Sequence, residues 1–330
     1  MTGPPAGCIM KKQRPAKNTG ENDRLRRNRR GAGMGENDML TTIQNDTITV
    51  SAETLGAELQ SIRSAEGMDY LWDGDPSGWS GRASILFPFV GSLRNKRASC
   101  SAGEVNLPQH GFARRKEWTR LEAEKDAMSF RLVADEETRK GYPYDFAITV
   151  RYFLGDRSVT SAFTVENTGD GPMPCTLGGH PGFHVPLVKG ENFEDYLIEF
   201  DQPETADCPQ VELSTGLIID TVRNRLLTEA RSFRLNHVLF RGDALIFDQL
   251  KSHSVKLYSE KSGRGVKMDF TGMNYLGIWS SQHDSPLVCL EPWNGMGTLV
   301  TEDDVFEHKR GMRILEPGQK DEVSFTLSVF

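Results

Sequence analysis

Long apolar runs are missing from this chain of 330 residues. No stretch approaches the roughly 20 residues that a membrane-spanning helix needs, and the first residues lack the apolar core of a secretory signal. A cytoplasmic protein without a membrane partner is therefore expected. Cysteine is scarce too: Cys8, Cys100, Cys175, Cys208 and Cys289 are widely spaced and form no C-x-x-C. That pattern argues against a disulfide framework or a zinc knuckle and fits scattered reduced thiols. The one glycine-rich candidate for a nucleotide loop, GAGMGEN at residues 31–37, follows no strand pattern and carries no weight. Amphipathic helical patterns are few and no repeat of fixed period is present, which disfavours bundles, propellers and solenoids.

Charge is unevenly spread. Residues 1–40 hold nine Lys/Arg against four Asp/Glu, leaving 30 against 42 for the rest. The first segment is polar, basic and aperiodic, with too little apolar surface to offset the entropy of ordering it. It is expected to be a disordered tail, inert or the result of a start placed upstream of Met34 or Met39. The acidic remainder is unsuited to a nucleic-acid surface. With 37% hydrophobic residues overall, the chain has material for a large core.

From residue 47 onward the dominant signal is period two with β-branched and aromatic residues, as in TITVSA, YDFAITVRYFL, SVTSAFTVEN, HSVKLYSE, GVKMDFTG and EVSFTLSVF. Short turn signals, GDR near Gly155 and KSGR near Gly263, make antiparallel hairpins the natural connection. No Pro/Gly/Ser-rich linker interrupts residues 41–330. The expectation is an all-β protein, one large antiparallel β-sandwich domain over 41–330.

Three places pair a proton-handling residue with unusual backbone chemistry: LPQHGFARR at 107–115, GGHPGFHVP at 178–186 and VCLEPWNGMG at 288–297. His180 and Glu291 each precede proline, which biases them to extended backbone, and neighbouring glycines leave room for a ligand. A metal held by His180 and His184 is disfavoured. Pro181, Gly182 and Pro186 make a helix improbable, and four extended residues span roughly 13 Å, too far for one ion. For His237, His253, His283 and His308 an ordinary structural role is expected.

GAEL, LFPFVG, LPQHGFAR, GGHPGF and LEPWNG, in this order, resemble the aldose 1-epimerase (galactose mutarotase) family, particularly its LacX-like subgroup. The resemblance covers residues 47–330. It implies a galactose mutarotase-like supersandwich that binds a small-molecule sugar and interconverts its α and β anomers without metal or cofactor. Carried over by motif, Glu291 is the base, His180 the acid, and His110 a hydrogen-bonding partner on the ring-oxygen side. Sugar contacts are implied for Asp243, with Asp248 as the alternative, and for Arg114 and Trp293. Where an arginine commonly follows the glycine of LFPFVG this chain has Ser92, and Arg94 is the candidate to reach the same space.

The chemistry agrees with these roles. Opening a pyranose ring needs one base for the C1 hydroxyl and one acid for the ring oxygen; a partly buried carboxylate and an imidazole supply them. Two other readings stay open. Arg94, Lys96, Arg97, Arg114 and Arg115 suit the phosphate of a hexose-6-phosphate 1-epimerase, and the same cleft in a non-catalytic carbohydrate-binding sandwich would recognise a sugar without turning it over. A lyase or glycosidase would need a second carboxylate or a tyrosine, and no spacing selects Asp243 or Tyr275 for that.

Overall fold

The computed structural model describes residues 39–330. The tail expected over 1–40 thus lies, save its last two residues, outside the described residues. The first strand, Leu40–Gln44, opens one residue ahead of the expected boundary.

Period two becomes structure most directly in Ser158–Asn167, which alternates half-buried and buried side chains along its whole length. It pairs antiparallel with Phe146–Leu154 on one side and Lys320–Val329 on the other, at the centre of a nine-stranded sheet. The turn at Gly155 closes the first of these hairpins, its N–H donating to the Ser158 carbonyl at 2.8 Å. The turn near Gly263 closes a second between Ser254–Ser259 and Gly265–Asp269. Both hairpins stand where the turn signals put them.

A second sheet of five strands runs in the order Leu245–Phe247, Tyr275–Trp279, Leu287–Trp293, Gly178–His184, Ala83–Leu86, antiparallel throughout. Its inner side chains, among them Ile85, Phe183, Leu276, Val288 and Leu290, share one core with Val150, Phe163, Phe325 and Leu327 of the large sheet. Two packed antiparallel sheets are the expected sandwich. Each fully buried apolar side chain contributes about 1.5–3 kcal/mol of transfer free energy, so this shared layer dominates the stability.

Among the described residues helix is confined to short pieces. The α-helix Glu136–Gly141 starts where Asp135 accepts the Thr138 N–H at 2.6 Å. Among the described residues no helix is long and apolar enough to cross a membrane, and the cysteines 100, 175, 208 and 289 are all unpaired.

Candidate active site

Antiparallel register assembles the site. In the five-stranded sheet Gly277 pairs with Glu291 and His180 with Ser84. The pairs on either side, Gly178 with Trp293 and Gly182 with Cys289, put His180 opposite Glu291. Strand parity then sends Glu291, His180 and Ser84 to the face turned away from the shared core. His180 Nε2 lies 3.2 Å from Glu291 Oε1, and both side chains are more than nine-tenths buried. Glu58 holds the edge of this row: its Oε1 accepts the Arg82 and Ala83 N–H groups at 2.9 and 3.1 Å and the Ser84 hydroxyl at 3.0 Å.

His110 reaches the row from a loop. Its backbone is left-handed, φ 65°, uncommon for any residue but glycine, and Gly111 follows at φ 68°. Only glycine fits at 111, because a Cβ there would lie 2.2 Å from the Phe87 carbonyl oxygen. His110 is clamped twice to Gly91: its N–H donates to the Gly91 carbonyl at 2.8 Å, and its Nδ1 accepts the Gly91 N–H at 3.0 Å. An accepting Nδ1 fixes the tautomer, so the ring carries its proton on Nε2. The His110 and His180 rings stand edge to face, centroids 5.9 Å apart.

Aromatic walls exclude water from this row. Trp79 stacks on His180 at 4.5 Å between centroids, and Trp279 meets the same ring edge-on at 5.9 Å. On the other flank Trp293 lies over Gly277, where a Cβ would come within 2.4 Å of its ring. The electrostatics follow from this dryness. Burial, with the nearby Asp243, pushes the Glu291 carboxyl well above the usual carboxylate range, against the opposing pull of the Trp293 indole and the Arg114 guanidinium. Burial, with Arg114 adding to it, drops His180 to about 3. His110 is held well below 6.5 by burial first, then by Arg114 and His180. The pair His180–Glu291 thus favours one carboxylic proton and a neutral imidazole, and the arrangement can pass that proton between two oxygens of a bound molecule.

Residues 39–327 match the aldose 1-epimerase family. The chain belongs to that family. It is 36% identical over 297 residues to the plasmid-borne LacX protein of Lactococcus lactis subsp. lactis, covering 88% of this chain and 99% of LacX. Among solved structures it is similar to a galactose mutarotase related enzyme from Lactobacillus acidophilus, with a TM-score of 0.84 at 32% identity, over 88% of this chain and 97% of that one. A galactose mutarotase-like protein from Lactobacillus casei superposes at 0.80 with 26% identity, over 88% and 100% of the two chains.

The family motifs converge in space as they do in order. His110, His180 and Glu291 meet in one cluster, and Arg114 acts on all three while its buried Nε has no protein partner. Of the two aspartates, Asp243 is the one whose charge acts on Glu291; its Oδ1 accepts the Ala244 N–H at 2.7 Å. Asp248 is spent on Arg223 and Arg310.

Arg94 is engaged elsewhere. Its Nε donates to Asp304 at 2.9 Å and its second nitrogen to the Val300 carbonyl at 3.0 Å, which ties down the 299–304 loop. Trp293 packs among Leu86, Val90, Ile246 and Met296, as a floor of the site. His184 stands four residues farther along the strand than His180, against Trp72.

Four neighbours of the proton-moving pair escaped the sequence reading: Trp79, Trp279 and Glu58, which shape the site, and Cys289, which borders it. Parity alone finds Cys289, two residues before Glu291 on the same strand face. Glu58 sits in GAEL, a motif whose task becomes visible only once the Ala83–Leu86 edge is placed beside it.

Proposed function

We propose that this member of the family is a cytoplasmic aldose 1-epimerase acting on a free aldohexose, with Glu291 and His180 as the proton-moving pair and His110 as a donor to the ring-oxygen side. The buried 3.2 Å contact between His180 Nε2 and Glu291 Oε1 carries the reading. Recognition alone does not require a matched acid and base. Ring opening takes the C1 hydroxyl proton onto the ionised Glu291 while protonated His180 gives one to the ring oxygen, and the C1–O5 bond breaks to the open-chain aldehyde.

What remains is a carboxylic acid and a neutral imidazole, the form that burial favours. After rotation about C1–C2 the two transfers run backward and close the ring on the other face. The starting ion pair forms with sugar in place, where the C1 hydroxyl donates to the carboxylate and the ring oxygen accepts from the imidazolium; Arg114 favours the first charge and opposes the second. His110, neutral with its proton on Nε2, offers a hydrogen bond without competing for protons. Asp243 and Arg114 are the proposed hydroxyl contacts.

A free sugar is favoured over a 6-phosphate because two of the flanking cations are already paired, Arg94 with Asp304 and Arg97 with Glu104. Saturation-transfer NMR on a panel of aldoses and their 6-phosphates tests both points. Exchange is expected to be accelerated by the wild type and reduced by about 10²–10⁴-fold in His180→Asn. Sugar binding without acceleration would sink the catalytic reading, and acceleration of 6-phosphates alone would sink the free-sugar one.

A further inference from the structure

Beside the proton-moving pair sits a thiol that the epimerase chemistry does not use. Cys289 shares its strand and sheet face with Glu291, and one ligand atom each from His180, Cys289 and Glu291 lie within 4.8 Å of one another, all buried. In a tetrahedral zinc site, with metal–sulfur near 2.3 Å and metal–nitrogen near 2.1 Å, ligand atoms stand roughly 3.5 Å apart. The cluster is therefore within about an ångström of a metal-binding triangle, a distance that side-chain rotation covers.

A second observation points the same way. His180 Nδ1 is buried and has no protein partner, whereas the Nδ1 of His110 accepts the Gly91 N–H. The Nε2 of His180 faces Glu291 Oε1 at 3.2 Å, so a neutral ring with its proton on Nδ1 turns the Nε2 lone pair toward the cluster. The donor set of one thiolate, one imidazole and one carboxylate selects a thiophilic divalent cation over magnesium or calcium, which take oxygen ligands.

We propose that His180, Cys289 and Glu291 form a three-ligand site for Zn²⁺ or Cd²⁺ that excludes the sugar. Binding displaces the thiol proton and any proton on the carboxyl to solvent, so the ion replaces protons and no redox step is involved. The ion occupies the same lone pairs that take and give the sugar's protons. The bound form is inhibited, and a chelator reverses it. Metal binding itself does not rest on the epimerase reading; only the inhibition does.

The test is a Cd²⁺ titration of the Cys8→Ser/Cys100→Ser protein, read by the ultraviolet thiolate-to-cadmium charge-transfer band. Saturable appearance of the band at one equivalent is expected. In Cys289→Ser on that background the band should vanish, and in His180→Asn the apparent affinity should fall at least about tenfold. Circular dichroism establishes that both variants fold. No band in the parent protein, or an undiminished band in Cys289→Ser, overturns the site. In parallel, anomer exchange should stop on Cd²⁺ addition and recover with chelator, while Cys289→Ser keeps exchanging in cadmium. A band without any exchange activity in metal-free protein would leave the site standing and count against the epimerase reading instead.

Discussion

Strand Ser158–Asn167, in the middle of the nine-stranded sheet, buries every second side chain, whereas Leu287–Trp293, in the middle of the five-stranded sheet, buries all seven. Both are antiparallel ladders facing the same core, and what differs is the other face. The outer face of the large sheet carries charges in loose surface pairs such as Lys320–Glu166 at 3.6 Å and Arg131–Glu166 at 3.8 Å, worth about 0–1 kcal/mol each. The outer face of the small sheet is roofed by tryptophans and by the loops that bring His110 and Arg114. There the same kinds of polar group are dry, and their protonation is set by burial. The roof, and not the ladder, turns a sheet face into a site.

That contrast can be broken from either side. The largest effect is expected from Glu291→Gln, which should lower the anomer-exchange rate by about 10²–10⁴-fold without lowering the denaturation midpoint, since it removes a buried acid that costs stability near neutral pH. Phe163→Ala in the large sheet should do the opposite. It should cost about 3–5 kcal/mol of stability, with the exchange rate per folded molecule preserved. Equal loss of both quantities in either variant would show that the two sheets do not divide the work.

Gly277→Ala should fall between them. A Cβ 2.4 Å from the Trp293 ring displaces the floor of the site, for about 1–3 kcal/mol and a raised KM. A KM at the wild-type value would mean that Trp293 only fills space.

Acid should separate the sheets next. His110 and His180 have folded-state pKa values below the unfolded value near 6.5, so the unfolded chain binds their protons first and stability falls as pH drops below that value, for His180 down to about 3. Between pH 6.5 and 5 His180 should cost about 2 kcal/mol, and His110 adds to that loss in the same sense. Glu291 acts in the reverse sense above about pH 4.5, its raised value favouring the folded state as pH falls. Urea midpoints at several pH values should therefore decline less steeply in His180→Asn than in wild type. An unchanged slope would mean that the imidazole is not held neutral.

The smallest effect is expected from Arg94→Met, whose ion pair with Asp304 is partly exposed: about 1 kcal/mol or less in stability, with KM within about twofold of wild type. A large rise in KM would return Arg94 to the sugar.

The same contrast governs what the sequence could tell. Ser158–Asn167, Phe146–Leu154 and Lys320–Val329 were legible because alternation survives where one face stays less buried. Strands buried on both faces lose it: Gly178–His184 and Leu287–Trp293 announced themselves only through His-Pro and Glu-Pro steps and the family motifs. Trp79 was beyond reach for a different reason. It lies in the aperiodic DGDPSGWSG of residues 73–81, and nothing local says that its indole will end on an imidazole a hundred residues away. Arg94 illustrates the converse, a plausible cation whose partner, Asp304, is two hundred residues downstream.

The row Gly277, Glu291, His180, Ser84 draws one residue from each of four strands, so its existence depends on three pairings being correct at once. A slip by a single residue would present Leu290 or Pro292 in place of Glu291 and turn the carboxylate into the core. Turnover is therefore a census of correctly paired molecules. In a refolding experiment, chains that regain β-sheet ellipticity in the wrong alignment stay silent, and the gap between recovered ellipticity and recovered rate measures how many strands met the wrong neighbour.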